Sequence, residues 1–245
     1  MDEYRLARVL MALAATGGPD RSRLCTLSAR VIAVSGAGIT LMTDKGAARM
    51  TVCSSDYVAQ VMEELQFSLG EGPCVDAYAQ DRPVSEPDLA TATTGRWPGF
   101  APAALAAGAV AVFGFPLRAG GRRIGTLNLY RDRPGSLSDE QVADALVVAD
   151  VIAREILTIQ ARAPLGAVGD GLVGEPELRL VVHQATGMVA AQLEVDVNQA
   201  LTRLRARAFA DGVSVNTVAA AVVNRELRFA PDDWPTGADD HEHPQ

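Results

Sequence analysis

The chain is 245 residues long, 48% hydrophobic and 21% charged, with a formal net charge of −8. That length allows one or two domains with buried cores, and two is the expectation. No apolar run approaches the ~20 residues of a membrane span, and Met1-Asp2-Glu3 lacks the basic n-region of a signal peptide, so a soluble, cytoplasmic protein with no membrane partner is expected.

In chain order, residues 2–15 set Leu6, Val9, Leu10 and Leu13 on one helical stripe that needs a partner, and Gly17-Gly18-Pro19 ends it. A second helix over roughly 20–34 leads into a β-rich run, Ile39 to Thr43. Asp44-Lys45-Gly46 reads as the turn of a hairpin into Arg49 to Cys53. A helix from about Ser55 to Leu65 follows, then a break at Gly70-Glu71-Gly72-Pro73-Cys74 and a short helical turn through Tyr78. Pro83 to Glu86 is a brief strand, and Trp97-Pro98-Gly99-Phe100 opens a small-residue helix ending at Gly108. The strands Val110 to Leu117 and Arg123 to Tyr130 are joined by Ala119-Gly120-Gly121-Arg122, whose glycines supply the positive φ of a tight hairpin. Ser138 with Gln141 forms a capping box for a helix running to about Ala161. The first domain, 1–163, is thus α+β, an antiparallel sheet bracketed by helices.

Residues 164–176 contain four glycines and two prolines and read as a flexible linker. Beyond it the pattern is all helical. One helix runs Glu177 to Leu193, Asp196 with Gln199 boxes a second to Ala210, Gly212 ends it, and Ser214 caps a third to about Leu227. The charge is unevenly shared: residues 1–163 carry 16 basic and 18 acidic groups, 164–229 carry 6 and 7, and 230–245 carry 0 and 5. The last segment reads as a disordered acidic tail, and neither domain has the basic excess of a purely electrostatic nucleic-acid binder.

Cys25, Cys53 and Cys74 are odd in number and widely spaced, and read as reduced thiols outside any disulfide or zinc site; no metal or cofactor is implied. The sequence carries no GxxxxGK loop, GxSxG elbow or HExxH pair, which argues against an enzyme. Glu63-Glu64 reads as a solvated helix face.

Both halves resemble known families. Gly70-Glu71-Gly72-Pro73-Cys74, Asp88-Leu89, Arg96-Trp97-Pro98-Gly99-Phe100, Phe115-Pro116-Leu117 and Ile124 to Tyr130 resemble a GAF domain of the bacterial GAF–ANTAR type. Gln184-Ala185-Thr186-Gly187-Met188, Ala200, Leu204-Arg205, Ala208, Val218-Ala219 and Val222-Val223 resemble the ANTAR domain. The resemblance implies a homodimeric regulator in which a three-helix ANTAR module, 177–229, binds nascent RNA stem-loops and prevents transcription termination under the control of a GAF sensor.

On that reading, the RNA-binding candidates are Gln184, Thr186, Gly187, Arg203, Arg205, Arg207 and Ala219: polar groups for unpaired bases, small residues for close approach and arginines for phosphate. Arg203 and Arg207 share a helix face, whereas Arg205 points elsewhere. A small-molecule GAF ligand would be lined by Leu41, Phe67, Cys74, Trp97, Phe113, Phe115, Leu127 and Leu129, although the same residues also read as a packed core. Residues 1–163 lack histidine, which argues against a His-ligated haem and disfavours a bilin. Many ANTAR sequences carry basic residues where Thr186 and Val213 stand, a departure expected to weaken RNA binding. The alternatives are a GAF-mediated signal-binding or interaction dimer whose degenerate ANTAR module does not bind RNA, and a helix-turn-helix DNA binder, which residues 214–224, without a single charge, disfavour.

Overall fold

The computed structural model describes residues 3–14, 21–42, 49–91, 95–162 and 176–230. The Gly17-Gly18-Pro19 stop, the Asp44-Lys45-Gly46 turn, the linker up to residue 175 and the tail from 231 lie outside the described residues. The chain divides into two compact units, Met1–Pro176 and Glu177–Gln245.

The first unit is built on five antiparallel strands in the order β2-β1-β5-β4-β3: β1 Gly36–Met42, β2 Arg49–Ser54, β3 Val84–Glu86, β4 Ala111–Ala119 and β5 Arg122–Arg131. Side chains alternate across a strand, so each strand feeds two layers. Ile39, Leu41, Phe113, Phe115, Leu117, Leu127 and Leu129 pack on one face against α2 (Arg21–Ile32) and α6 (Asp139–Arg162), through Leu24, Ala29, Ile32, Val148, Ile152 and Ile156. Helix α1 (Glu3–Ala14) packs against α2 and α6. It is tied to α6 by Arg5 and Arg8, which both donate to the buried Asp144. The opposite face, with Gly38, Thr40, Gly114, Thr126, Asn128 and Tyr130, receives α3 (Tyr57–Leu69), α4 (Pro73–Gln80) and α5 (Phe100–Ala107).

Local chemistry explains the joints. Gly120 and Gly121, at φ 56° and 79°, close the two-residue β4–β5 hairpin. The capping box is reciprocal: Ser138 N–H donates to Gln141 Oε1 at 3.1 Å, and Gln141 N–H to Ser138 Oγ at 3.3 Å.

Two readings of this unit are corrected. Cys25 of α2 and Cys53 of β2 form a disulfide across a separation of 28 residues, because the helix packs on the strand and brings together thiols that look unrelated in sequence. Cys74, buried, takes no part in it. Glu63 is not solvated; it is 4% exposed and faces the sheet, whereas Glu64 is partly exposed.

The second unit comprises α7 (Pro176–Leu193), α8 (Val197–Asp211) and α9 (Val215–Val223). Asp196 Oδ1 accepts from the Asn198 and Gln199 amides at 2.8 and 2.9 Å, and Ser214 Oγ from the Thr217 amide at 3.1 Å, so both helices start where the caps predict. Gly212, at φ 65°, ends α8 in the left-handed conformation. The third helix stops at Val223, short of Leu227.

Candidate functional site

In the helical unit, helix periodicity separates core from surface. Val182, Ala185, Thr186 and Val189 of α7, Ala200, Leu201, Leu204 and Ala208 of α8, and Val215, Val218, Ala219 and Val222 of α9 are all buried. The alanines bring the helices close, as their size suggests. Ala219 is fully buried and presents nothing to a nucleic acid. Thr186 is buried too, and its hydroxyl donates to the Val182 carbonyl at 2.6 Å, the back-bond a mid-helix threonine commonly makes. Neither residue offers the contact expected of it.

Gln184 and Gly187 are exposed on one face of α7, with Leu180 and Ala191 on the same stripe. Gly187 is not used for helix packing: a Cβ built there would meet nothing within 4 Å. A glycine inside a helix costs about 1 kcal/mol relative to alanine, and no contact among the described residues offsets it.

On α8, Arg207 is exposed and donates to Asp211 Oδ2 at 2.7 Å; Arg203, four residues earlier, is partly exposed on the same side. Arg205, also partly exposed, lies on the other edge, one turn before Phe209. Phe209 is 74% exposed, and sequence reasoning passed over it. It falls off the Ala200, Leu204, Ala208 stripe, so a helical projection would have found it.

In the sheet unit, the eight side chains expected to line one cavity are split between faces. Leu41, Phe113, Phe115, Leu127 and Leu129 belong to the core under α2 and α6. Cys74 packs with Met42 and Tyr78, and Trp97 with Phe100 in a third cluster. Phe67 is buried on α3. Strand alternation is the reason: the clearest apolar positions of β4 and β5 are those already covered by helix.

The glycine- and tryptophan-containing motifs form one joint. Gly70, at φ 69°, ends α3, and Glu71 Oε2 accepts from the Gly99 and Phe100 amides at 3.0 and 3.2 Å, capping α5. Pro73 opens α4, while the Cys74 amide donates to Gln66 Oε1 at 2.8 Å. Asp76 Oδ2 accepts from Arg96 Nη2 at 2.7 Å and Trp97 Nε1 at 3.2 Å, with the Arg96 guanidinium 4.4 Å from the Trp97 ring centroid. These residues hold the α3–α4 turn to the start of α5.

Beneath that joint lies a polar row that sequence reasoning missed. Asn128 Nδ2 donates to Glu63 Oε1 at 2.6 Å, and Thr40 Oγ1 donates to Glu63 Oε2. Thr126 Oγ1 and Asn128 Oδ1 are buried without a hydrogen-bond partner, an arrangement that ordinarily costs ~1–3 kcal/mol per group. Nearby, Tyr130 Oη donates to Asp56 Oδ1 at 2.9 Å; burial, then that hydrogen bond and the charges of Asp56 and Asp132, push its phenol well above the usual tyrosine range. The alternation of Thr126, Asn128 and Tyr130 along β5 was the available signal. Among the described residues no group of three or more His, Cys, Asp or Glu is placed to hold a metal, and no helix is long and apolar enough to cross a membrane.

The family model for the GAF domain matches residues 22–157, and that for the ANTAR domain matches residues 172–223. No curated protein matches the chain. Similar solved structures include the GAF domain of a phosphoenolpyruvate-protein phosphotransferase from Acinetobacter, at 13% identity and TM-score 0.49 over 64% of this chain and 93% of that one. The corresponding domain from Coxiella burnetii is 13% identical, at TM-score 0.47 over 66% and 98%. A type II free methionine-R-sulfoxide reductase from Thermoplasma acidophilum is 17% identical, at TM-score 0.44 over 61% and 95%.

Proposed function

The chain belongs to the GAF-domain family and carries an ANTAR domain after its GAF domain, and from that premise we propose that it is a cytoplasmic, signal-responsive antitermination regulator that binds RNA stem-loops. ANTAR and GAF are RNA-binding and sensor modules respectively, so the chemistry asked of the chain is recognition and not catalysis. The observation that carries the reading is Gly187: a helix-weakening residue on an exposed face beside Gln184, open to close approach by another chain's backbone. Gln184 can pair with the edge of an unstacked loop base, and Arg205 and Arg203 can meet phosphate. Ala219 and Thr186 support that surface from inside the bundle.

The regulator acts as a homodimer. Tyr4, Leu10 and Met11 of α1 and Leu146 and Leu157 of α6 are exposed apolar side chains on the helices that flank the sheet, which supports self-association through that layer. Signal at the GAF domain, 1–163, would then alter the relative placement of the two ANTAR modules, 177–229. A second reading, an interaction dimer with an ANTAR module that no longer binds RNA, is favoured by the buried Thr186 hydroxyl and by the Arg207 charge already paired to Asp211.

Binding of the full chain to a pool of structured bacterial leader RNAs, at several salt concentrations, tests this. The wild type should select paired stem-loops and lose affinity as salt rises. Arg205→Ala should bind several-fold more weakly, and Gly187→Ala should weaken binding while making α7 about 1 kcal/mol more stable. Binding no better than to unrelated RNA, by a folded dimer, would shift the assignment to the second reading.

A further inference from the structure

The polar row on the inner face of the sheet is assembled from three strands and the helix above them. Gly38, Asn128 and Gly114 lie side by side on β1, β5 and β4, so one long polar side chain stands between two residues that have none. The glycines let the helices come down onto the strands: a Cβ at Gly38 would stand 2.2 Å from Glu63 Oε1, and one at Gly114 would stand 2.4 Å from the Pro73 carbonyl oxygen. Helix α3 thereby lowers the Glu63 carboxylate onto Asn128 and Thr40. The Asn128 amide nitrogen is engaged there, which leaves Oδ1 as a pure acceptor with nothing to accept. In the next row Thr126 faces Thr40 across the strand pair, and its fully buried Oγ1 has no partner.

Buried polar groups in folded proteins are nearly always paired, and valine would fill position 126 with the same shape. What is assembled instead is a carboxylate, an amide oxygen and a hydroxyl, contributed by α3 and β5 and rich in acceptors. The complement of such a set is a group with several N–H donors and a positive charge, since charge-assisted bonds are the strong ones. We infer that Glu63, Asn128 and Thr126 form a subsite for the ammonium or amidinium group of a small cationic ligand. It deepens the sensor half of the proposed function by assigning the chemical class of the signal, and it is separate from the aromatic residues of the other face.

The test is thermal unfolding of the full chain with millimolar methylammonium, 1,3-diaminopropane or acetamidinium, and with tetramethylammonium as a cation that has no N–H donor, all at constant ionic strength. The N–H-bearing cations should raise the midpoint by a few degrees, saturably, and tetramethylammonium should not. Glu63→Gln should abolish the response. Should that variant fold poorly, Thr126→Val, which keeps the shape, carries the test by lowering apparent affinity at least several-fold. Equal shifts by tetramethylammonium, a response retained in both variants, or no shift with any cation would overturn the assignment and leave an enclosed water as the occupant. No RNA enters the assay, so its failure leaves the RNA reading standing, and a failure of RNA binding leaves this site untouched.

Discussion

Tyr130 and Gly36 illustrate how single residues set up the inner face of the sheet. They are cross-strand partners, and a Cβ at Gly36 would stand 2.3 Å from the tyrosine ring and 2.3 Å from Asp56 Oδ2. The glycine makes the space in which the phenol donates to the carboxylate that also caps α3 through the Ala59 amide. That environment has a consequence for pH. An unfolded tyrosine ionises near pH ~10, whereas the folded Tyr130 stays protonated above it. Below pH ~10 both states hold the proton and the contribution is complete; above it the unfolded chain alone releases the proton, and stability falls as pH rises. Urea midpoints of the wild type should therefore drop between pH 9 and pH 11, and Tyr130→Phe should show a flatter profile from a lower starting point. Equal slopes would remove Tyr130 from the account. Thr186 and Ala219 lie inside the helical bundle for a reason of the same scale: residue type sets what a side chain can do, but a hydroxyl already donating to Val182 and a fully buried methyl cannot reach a partner.

At the scale of elements, helix α2 is joined to the edge strand β2 by the disulfide Cys25–Cys53. Closing a 28-residue separation restricts the unfolded chain by about 3–4 kcal/mol in the chain-entropy model. A Cys25→Ser, Cys53→Ser double variant should accordingly melt on the order of 10 °C below the oxidised wild type. Free-thiol titration of the unfolded, unreduced protein checks the bond itself, with one reactive thiol, Cys74, expected per chain, and three if the bond is absent. In a reducing cytoplasm the pair would be thiols and the joint weaker. Nothing in the spacing of the cysteines signals the pairing, because it depends on a helix-to-strand contact between elements with another strand between them. Turns and caps behave oppositely. The Gly120-Gly121 hairpin, the Ser138–Gln141 box and the Asp196 and Ser214 caps were legible because each is decided within a few residues.

Across the whole molecule, two units differ in how much they can hold by themselves. The clusters under α2 and α6, under α3 and α5, and around Cys74 all draw on residues of the first unit. Residues 1–163 should therefore unfold cooperatively as an isolated fragment, with a midpoint close to that of the main, higher transition of the full chain; calorimetry of both decides it. The isolated 177–229 segment, a small bundle with a correspondingly small core, should be only marginally helical unless it dimerises. A stable, monomeric 177–229 fragment would contradict that expectation.

What the sequence determined by itself was the succession of elements, the α+β and all-helical character of the two halves, and the motifs by which the family is shown. These depend on periodicity, capping and turn residues, all local properties of a chain. The tertiary structure alone decided which face each residue serves. It sent Leu41, Phe113, Phe115, Leu127 and Leu129 under the α2/α6 layer, brought Glu63 down onto Asn128, and left Phe209 and Gly187 in the open. The physical reason is that alternation and helical periodicity group residues into faces without stating what will cover them, and a face becomes a core or a site only when another element arrives.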